Sequence, residues 1–170
     1  MRRARKALIL GGSALALIGA SAVVQSDPVV LWNPSPSVPV GFYAVTPIET
    51  LEVGALVAVR PPEPLASWLV ENRYLGRDTP LLKHIAALSG AEVCRDGEVI
   101  RIDGDVVAEA RERDRLERPL PVWNGCQRLA DGEVFFLNAD HPASLDGRYF
   151  GPLGAETIIG RATPIWTRED

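Results

Sequence analysis

A chain of 170 residues is long enough for one domain of ordinary size and a short extra segment. Its 18 Lys and Arg against 22 Asp and Glu leave a net charge of −4, which excludes nucleic acid as a partner. The 46% hydrophobic content excludes wholesale disorder, and 14 prolines, all between Pro28 and Pro164, disfavour a helical bundle. Short strands joined by turns are expected instead.

The mean charge conceals a split. Residues 1–26 hold Arg2, Arg3, Arg5 and Lys6 and no acid, leaving 14 basic against 22 acidic residues in 27–170, a net of −8. Ala7 to Val24 is an uncharged run of 18 residues that as a helix would extend about 27 Å, enough for the hydrocarbon core of a bilayer. The basic flank places the N-terminus in the cytoplasm and sends residues 27–170 across the membrane. The run is read as an uncleaved anchor; the other reading is a signal peptide cut near Ala20-Ser21-Ala22. The two cysteines, Cys94 and Cys126, both fall in the exported part, where a disulfide is expected between them.

The chain is thus divided into a leader and anchor over 1–26 and one exported domain over 27–170. Pro28 to Pro39 is too rich in proline for regular helix, while 41–45 and 55–59 read as strands. Pro64 opens a short helix that carries Leu65, Trp68 and Leu69, with Gly76 as its stop. Leu81 to Leu88 is an apolar run open to either strand or helix. Asp96-Gly97 and Asp103-Gly104 are hairpin-turn signals, and 133–137 and 157–159 read as later strands. The expected fold is mainly β with one or two short helices.

Several chemistries lack their residues. The only histidines, His84 and His141, are not spaced as a metal pair, so no metal is expected. No glycine-rich phosphate loop follows a strand, so no nucleotide cofactor is expected. Lysine usage is informative: Lys83 is the only lysine in 27–170, alongside 13 arginines. Lysine gives up its proton when desolvated and arginine does not. In a strand, Leu81, Lys83, Ile85 and Ala87 share one face, where burial would lower the ammonium pKa and make Lys83 a general base. The bland alternative is a lysine that reaches out to water. Ser35 and Ser37 lie among Pro34, Pro36 and Pro39, either in a restrained nucleophile loop or in a linker leaving the membrane.

Three motifs then occur in order: Ser-x-Pro-x-Gly-x-Tyr from Ser37 to Tyr43, Pro80-Leu-Leu-Lys-His-Ile-Ala-Ala-Leu-Ser-Gly90, and Ser144-Leu-Asp-Gly-Arg-Tyr-Phe-Gly151. Behind a basic, apolar N-terminus, this resembles the type I signal peptidase superfamily, and most of all its TraF-type conjugative-transfer branch. The resemblance runs from the anchor to about Leu153. It implies a signal-peptidase-like β domain on the periplasmic side of a bacterial inner membrane, after one transmembrane helix, and a serine–lysine endopeptidase without a cofactor. Ser37 matches the nucleophile and Lys83 the base. Ser35 matches a position whose hydroxyl joins the Ser37 N–H as oxyanion donor. Ser144 matches a serine that orients the lysine, and Asp146 and Arg148 a supporting ion pair. Two departures stand out: Val38 replaces the common Met, and Gly147 replaces a Ser, removing a possible hydrogen bond.

Ser37 follows Val24 by 13 residues, a reach of about 43–47 Å when extended, so the site is expected near the bilayer. Trp32 is placed either at that interface or in the core. The implied partner is an exported precursor, such as a pilin or another transfer-apparatus protein. A general secretory signal peptidase, a Ser-His-Asp hydrolase using His84 or His141, and a non-catalytic anchored module of a surface assembly are the alternatives. Hydrolysis and cyclisation are not distinguished.

Overall fold

A computed structural model describes residues 30–168. The anchor expected over 1–26 lies outside them, and no helix among the described residues is long and apolar enough to cross a membrane. The fold is mainly β, as expected. In chain order the strands are β1 (Val30–Asn33), β2 (Gly41–Thr46), β3 (Leu56–Val59), β4 (Leu81–Ala87), β5 (Glu92–Asp96) and β6 (Val99–Ile102). Then follow β7 (Asp105–Glu109), β8 (Gly125–Arg128), β9 (Glu133–Phe136), β10 (Leu153–Gly154) and β11 (Ile158–Thr167). Two short helices join them, α1 (Leu65–Glu71) and α2 (Gly147–Phe150).

The strands form a seven-stranded sheet in the order β1-β2-β11-β3-β4-β9-β10 and a four-stranded sheet in the order β7-β6-β5-β8. The alternation of side chains sorts the large sheet's core onto its two faces. Val38, Tyr43, Val45, Ala58, Leu82 and Ala162 pack together, and Val57, Val59, Ile85, Val134 and Phe136 form a separate cluster. The third core joins the small sheet to the helices through Val93, Ile100, Leu129, Phe135 and Tyr149.

The open apolar run resolves as strand β4. Lys83 pairs opposite Val57, so it shares a face with Leu81 and Ile85. Ala87 departs from the expected face. The register with β9 shifts between Ile85 and Ala87, and Ala87 packs in the small-sheet core instead. Strand β11 runs through Pro164, further than its apolar signal, with a bulge between Pro164 and Trp166.

The expected helix is present but stops earlier than Gly76. The N–H of Tyr74 donates to Leu69 O and that of Arg73 to Val70 O, a Schellman closure with Arg73 at φ +59°. Gly76 lies in the loop beyond it. Asp103 and Gly104 both have positive φ, as a type I′ hairpin needs. The preceding hairpin is displaced by one residue from its signal, because Asp96 pairs with Val99 and the turn residues are Gly97 and Glu98.

Cys94 and Cys126 are bonded and face each other across β5 and β8. All four β8 residues are exposed, so this strand depends on pairing and the disulfide rather than on burial. In the chain-entropy account, a link across 32 positions contributes about 3–4 kcal/mol. Replacing both cysteines by serine should lower the melting temperature by on the order of 10 °C in calorimetry. Exchange protection should be lost first at β8 amides; unchanged protection there would contradict this account.

Candidate active site

The loop between β1 and β2 carries Ser35 and Ser37. Its prolines at 34, 36 and 39 have no N–H to donate, so the backbone alone offers few ties. A buried side chain supplies them. Asn33 Nδ2 donates to the carbonyls of Ser35 (2.8 Å), Val38 (3.1 Å) and Pro39 (3.1 Å), while its Oδ1 accepts the Ser35 N–H at 3.1 Å. The Tyr43 hydroxyl also donates to Pro39 O at 2.6 Å. Val38, one of the two departures, is buried against Tyr43, Val45 and Leu82, which fixes the loop just after Ser37. Gly41 is required because an added Cβ would collide with the Trp166 carbonyl of β11.

Ser37 and Lys83 line one cleft of about 460 Å³, together with Ser35, Ser144, Trp32 and His141. The Lys83 ammonium is buried and donates to Ser144 Oγ at 2.9 Å. Burial pushes its pKa down from 10.5 to about 8. The Asp146 carboxylate opposes this shift and the Arg148 guanidinium adds to it. Among the described residues, Lys83 has no hydrogen bond to Ser37. The Ser37 hydroxyl instead accepts from Ser35 Oγ at 3.2 Å, and the Ser37 N–H donates to the same Oγ at 3.4 Å. The two groups matched to an oxyanion site are therefore engaged with each other.

Behind the cleft, Asp146 and Arg148 form a buried, two-pronged pair. Arg148 Nε reaches Asp146 Oδ1 at 2.9 Å, and a terminal nitrogen reaches Oδ2 at 2.8 Å. The same guanidinium donates to the carbonyls of Asn138 and His141, so it holds the turn leading to Ser144. Asn138, unnoticed in the sequence, ties this pair to β4. Its Nδ2 donates to Leu82 O, its Oδ1 accepts the His84 N–H, and its own N–H donates to Asp146 Oδ2, each at 3.1 Å. The two residues flanking Lys83 are thereby stitched to the pair beneath it.

The histidines are placed differently. His84 Nδ1 lies 3.1 Å from Asn138 Oδ1. His141 lines the cleft, and its buried Nδ1 has no hydrogen-bond partner among the described residues. Cys94 and Cys126 lie on the small sheet and do not line the cleft.

The family model for signal peptidase, peptidase S26, matches residues 2–167. The chain belongs to the signal peptidase S26 family. It is 30% identical to plasmid transfer protein TraF of Escherichia coli over 178 residues, covering 98% of this chain and 97% of that protein. A probable conjugal transfer protein TraF of Sinorhizobium fredii is 29% identical over 182 residues, covering 98% and 93%. A crystal structure of a signal peptidase I from Enterococcus faecalis V583 aligns with a TM-score of 0.41 at 18% identity, covering 68% of this chain and 99% of that one. The family is one of peptidases, and its TraF relatives belong to conjugal transfer.

The Gly147 departure has a steric cause. A Cβ there would lie 2.6 Å from the Phe135 ring and 2.7 Å from the Phe136 carbonyl, so a serine has no room. Gly147→Ser should cost about 1–3 kcal/mol by overpacking, read by urea denaturation.

Lys83 also predicts a pH dependence. Its folded pKa of about 8 lies below the free value, so the unfolded chain binds more protons between the two. Stability should therefore rise by roughly 3 kcal/mol from about pH 8 to 10.5. In Lys83→Met that rise should vanish, and the variant should be more stable than wild type at pH 7. Parallel stability profiles for the two proteins would contradict burial of the ammonium.

Proposed function

We propose that this chain is a membrane-anchored serine–lysine endopeptidase that processes an exported precursor of a conjugation apparatus, a pilin or transfer protein. The observation that supports it most is a desolvated, hydroxyl-tethered lysine sharing one cleft with a serine on a restrained loop. In the proposed reaction, Ser37 Oγ comes within hydrogen-bond reach of the Lys83 nitrogen. Neutral Lys83 takes the Ser37 proton as Oγ bonds to the scissile carbonyl carbon. The Ser35 hydroxyl and Ser37 N–H turn from each other to the oxyanion. Protonated Lys83 then donates to the leaving amine as the C–N bond breaks, and water, deprotonated by Lys83, releases the acyl group and restores Ser37. Ser144 keeps the amine aligned throughout, and Asp146 and Arg148 hold Ser144.

The surface supports a periplasmic site at the bilayer. Trp32, Phe42 and Trp166 are exposed and adjoin in sequence of contact, with ring centroids 4.8 and 6.5 Å apart. Val30 and Ile165 extend the exposed apolar area on the same strands. This edge lies at the start of β1, where the chain arrives from the apolar run. Trp32 is thus exposed rather than in the core, and in this reading the edge rests on lipid.

A second reading, with histidine as the base, has its own observation: His141 Nδ1 is buried without a hydrogen-bond partner among the described residues. Acylation by a fluorophosphonate, followed by intact mass, separates the two. Wild type should gain one adduct with a pH midpoint near 8, matching Lys83. Ser37→Ala and Lys83→Ala should gain none, and His141→Ala should label at a rate within a few-fold of wild type. A dead His141→Ala with an active Lys83→Ala would transfer the role to histidine. No adduct on folded wild type at any pH would support the non-catalytic module.

A further inference from the structure

A second cavity of about 250 Å³ adjoins the cleft and shares with it the walls made by Tyr74, Arg115, Ala143 and Leu145. Five arginines line it, Arg73, Arg111, Arg113, Arg115 and Arg118, against a single acid, Asp114. That acid is already saturated. It accepts from the Tyr74 hydroxyl at 2.6 Å, from Arg118 Nε at 2.7 Å, and from the N–H groups of Leu116 and Arg118. Burial would raise its pKa, but these bonds, Tyr74 first, hold it well below the usual carboxylate range. Arg118 also stacks over the Tyr74 ring at 4.4 Å, so its charge is committed as well.

The other arginines are less occupied. Arg113 donates to the Glu117 carbonyl, which leaves its charge uncompensated. The exposed side chains of Arg73, Arg111 and Arg115 have no hydrogen bond or ion pair among the described residues. Arg73 moreover takes the left-handed position closing α1, where glycine is the favoured residue and a side chain costs about 1 kcal/mol or more. A concave site with surplus guanidinium charge thus sits in a domain whose net charge over 27–170 is −8.

We propose that this cavity is an anion subsite that binds carboxylate groups of the peptide occupying the neighbouring cleft. Guanidinium forks match carboxylates two bonds at a time, and the walls shared with the cleft fit a ligand that extends from one cavity into the other. The carboxylate is that of an acidic side chain or of a chain terminus. The inference rests on the peptidase reading only in taking the cleft's occupant to be a precursor.

The test measures binding rather than cleavage. Full-length Ser37→Ala protein in detergent is titrated against three labelled decapeptides with an Ala-rich centre, followed by anisotropy. One peptide carries internal glutamates and an amidated end, one has glutamines and a free terminal carboxylate, and one has glutamines and an amidated end. At least one carboxylate peptide should bind ten-fold or more tighter than the neutral one in 50 mM salt. The preference should shrink at 300 mM salt and fall to about two-fold in Arg111→Gln/Arg115→Gln, whose side chains make no hydrogen bond or ion pair among the described residues. The same preference should persist with Lys83→Ala added, which separates the subsite from the buried amine. The peptide that gains identifies the source of the carboxylate. Equal affinity for all three peptides, or no binding of any, overturns the proposal. So does a double variant that loses only adsorption to anionic vesicles, which would assign the arginines to lipid. Fluorophosphonate labelling on the Ser37 protein reads the peptidase proposal separately, so either one fails without the other.

Discussion

An ammonium group removed from water with one hydroxyl as its hydrogen-bond partner is the constraint around which the rest of this molecule is organised. Desolvation of Lys83 is unfavourable at neutral pH, and the fold has to supply that free energy from elsewhere. It does so with a layer of satisfied polar groups. Asp146 and Arg148 are buried together, and between them they account for the backbone of Asn138, the carbonyl of His141 and the cap of α2. Such a pair adds little net stability, but removing one member leaves a buried charge, which typically costs 3–5 kcal/mol. Its effect here is positional, because it holds the turn that brings Ser144 to the lysine.

Two asparagines divide the positioning between them. Asn33 holds the serine loop from the large sheet's edge, and Asn138 holds the lysine strand from the segment that follows β9. In both, a short side-chain amide supplies bonds that irregular backbone does not make for itself. Proline density makes the serine loop stiff, but stiffness alone gives no address. The bonds from Asn33 to three successive parts of the loop do.

How far the sequence disclosed this depends on the kind of signal. Strands with a short apolar stretch between turn signals, β2, β3 and β9, were legible within a residue or two, whereas β4 was legible only as an apolar run that strand and helix fit equally. β1, Val-Leu-Trp-Asn, is a short apolar run between prolines, and β8 is exposed at every position and carries no hydrophobic pattern. The lone lysine was readable because desolvation chemistry singles it out, and the serines because their spacing matched a known motif. Asn33 and Asn138 were not readable, since an amide's importance is set by which backbone groups the fold delivers to it. The arginine cavity escaped for a different reason. Arg111, Arg113 and Arg115 alternate with Glu112 and Asp114, so the segment looks nearly neutral until folding separates the signs.

The near-absence of lysine has a consequence for the proton inventory of residues 27–170. Every other strong cation there is a guanidinium, which keeps its proton throughout the accessible pH range. Both thiols are consumed in the disulfide, and burial raises the Tyr43 and Tyr74 phenols, the latter to about 12. A rise in pH through about 8 therefore takes a proton from the cleft at Lys83 while the surrounding guanidiniums keep theirs. The same mild alkali that frees the amine leaves the positive charge of the arginine cavity in place.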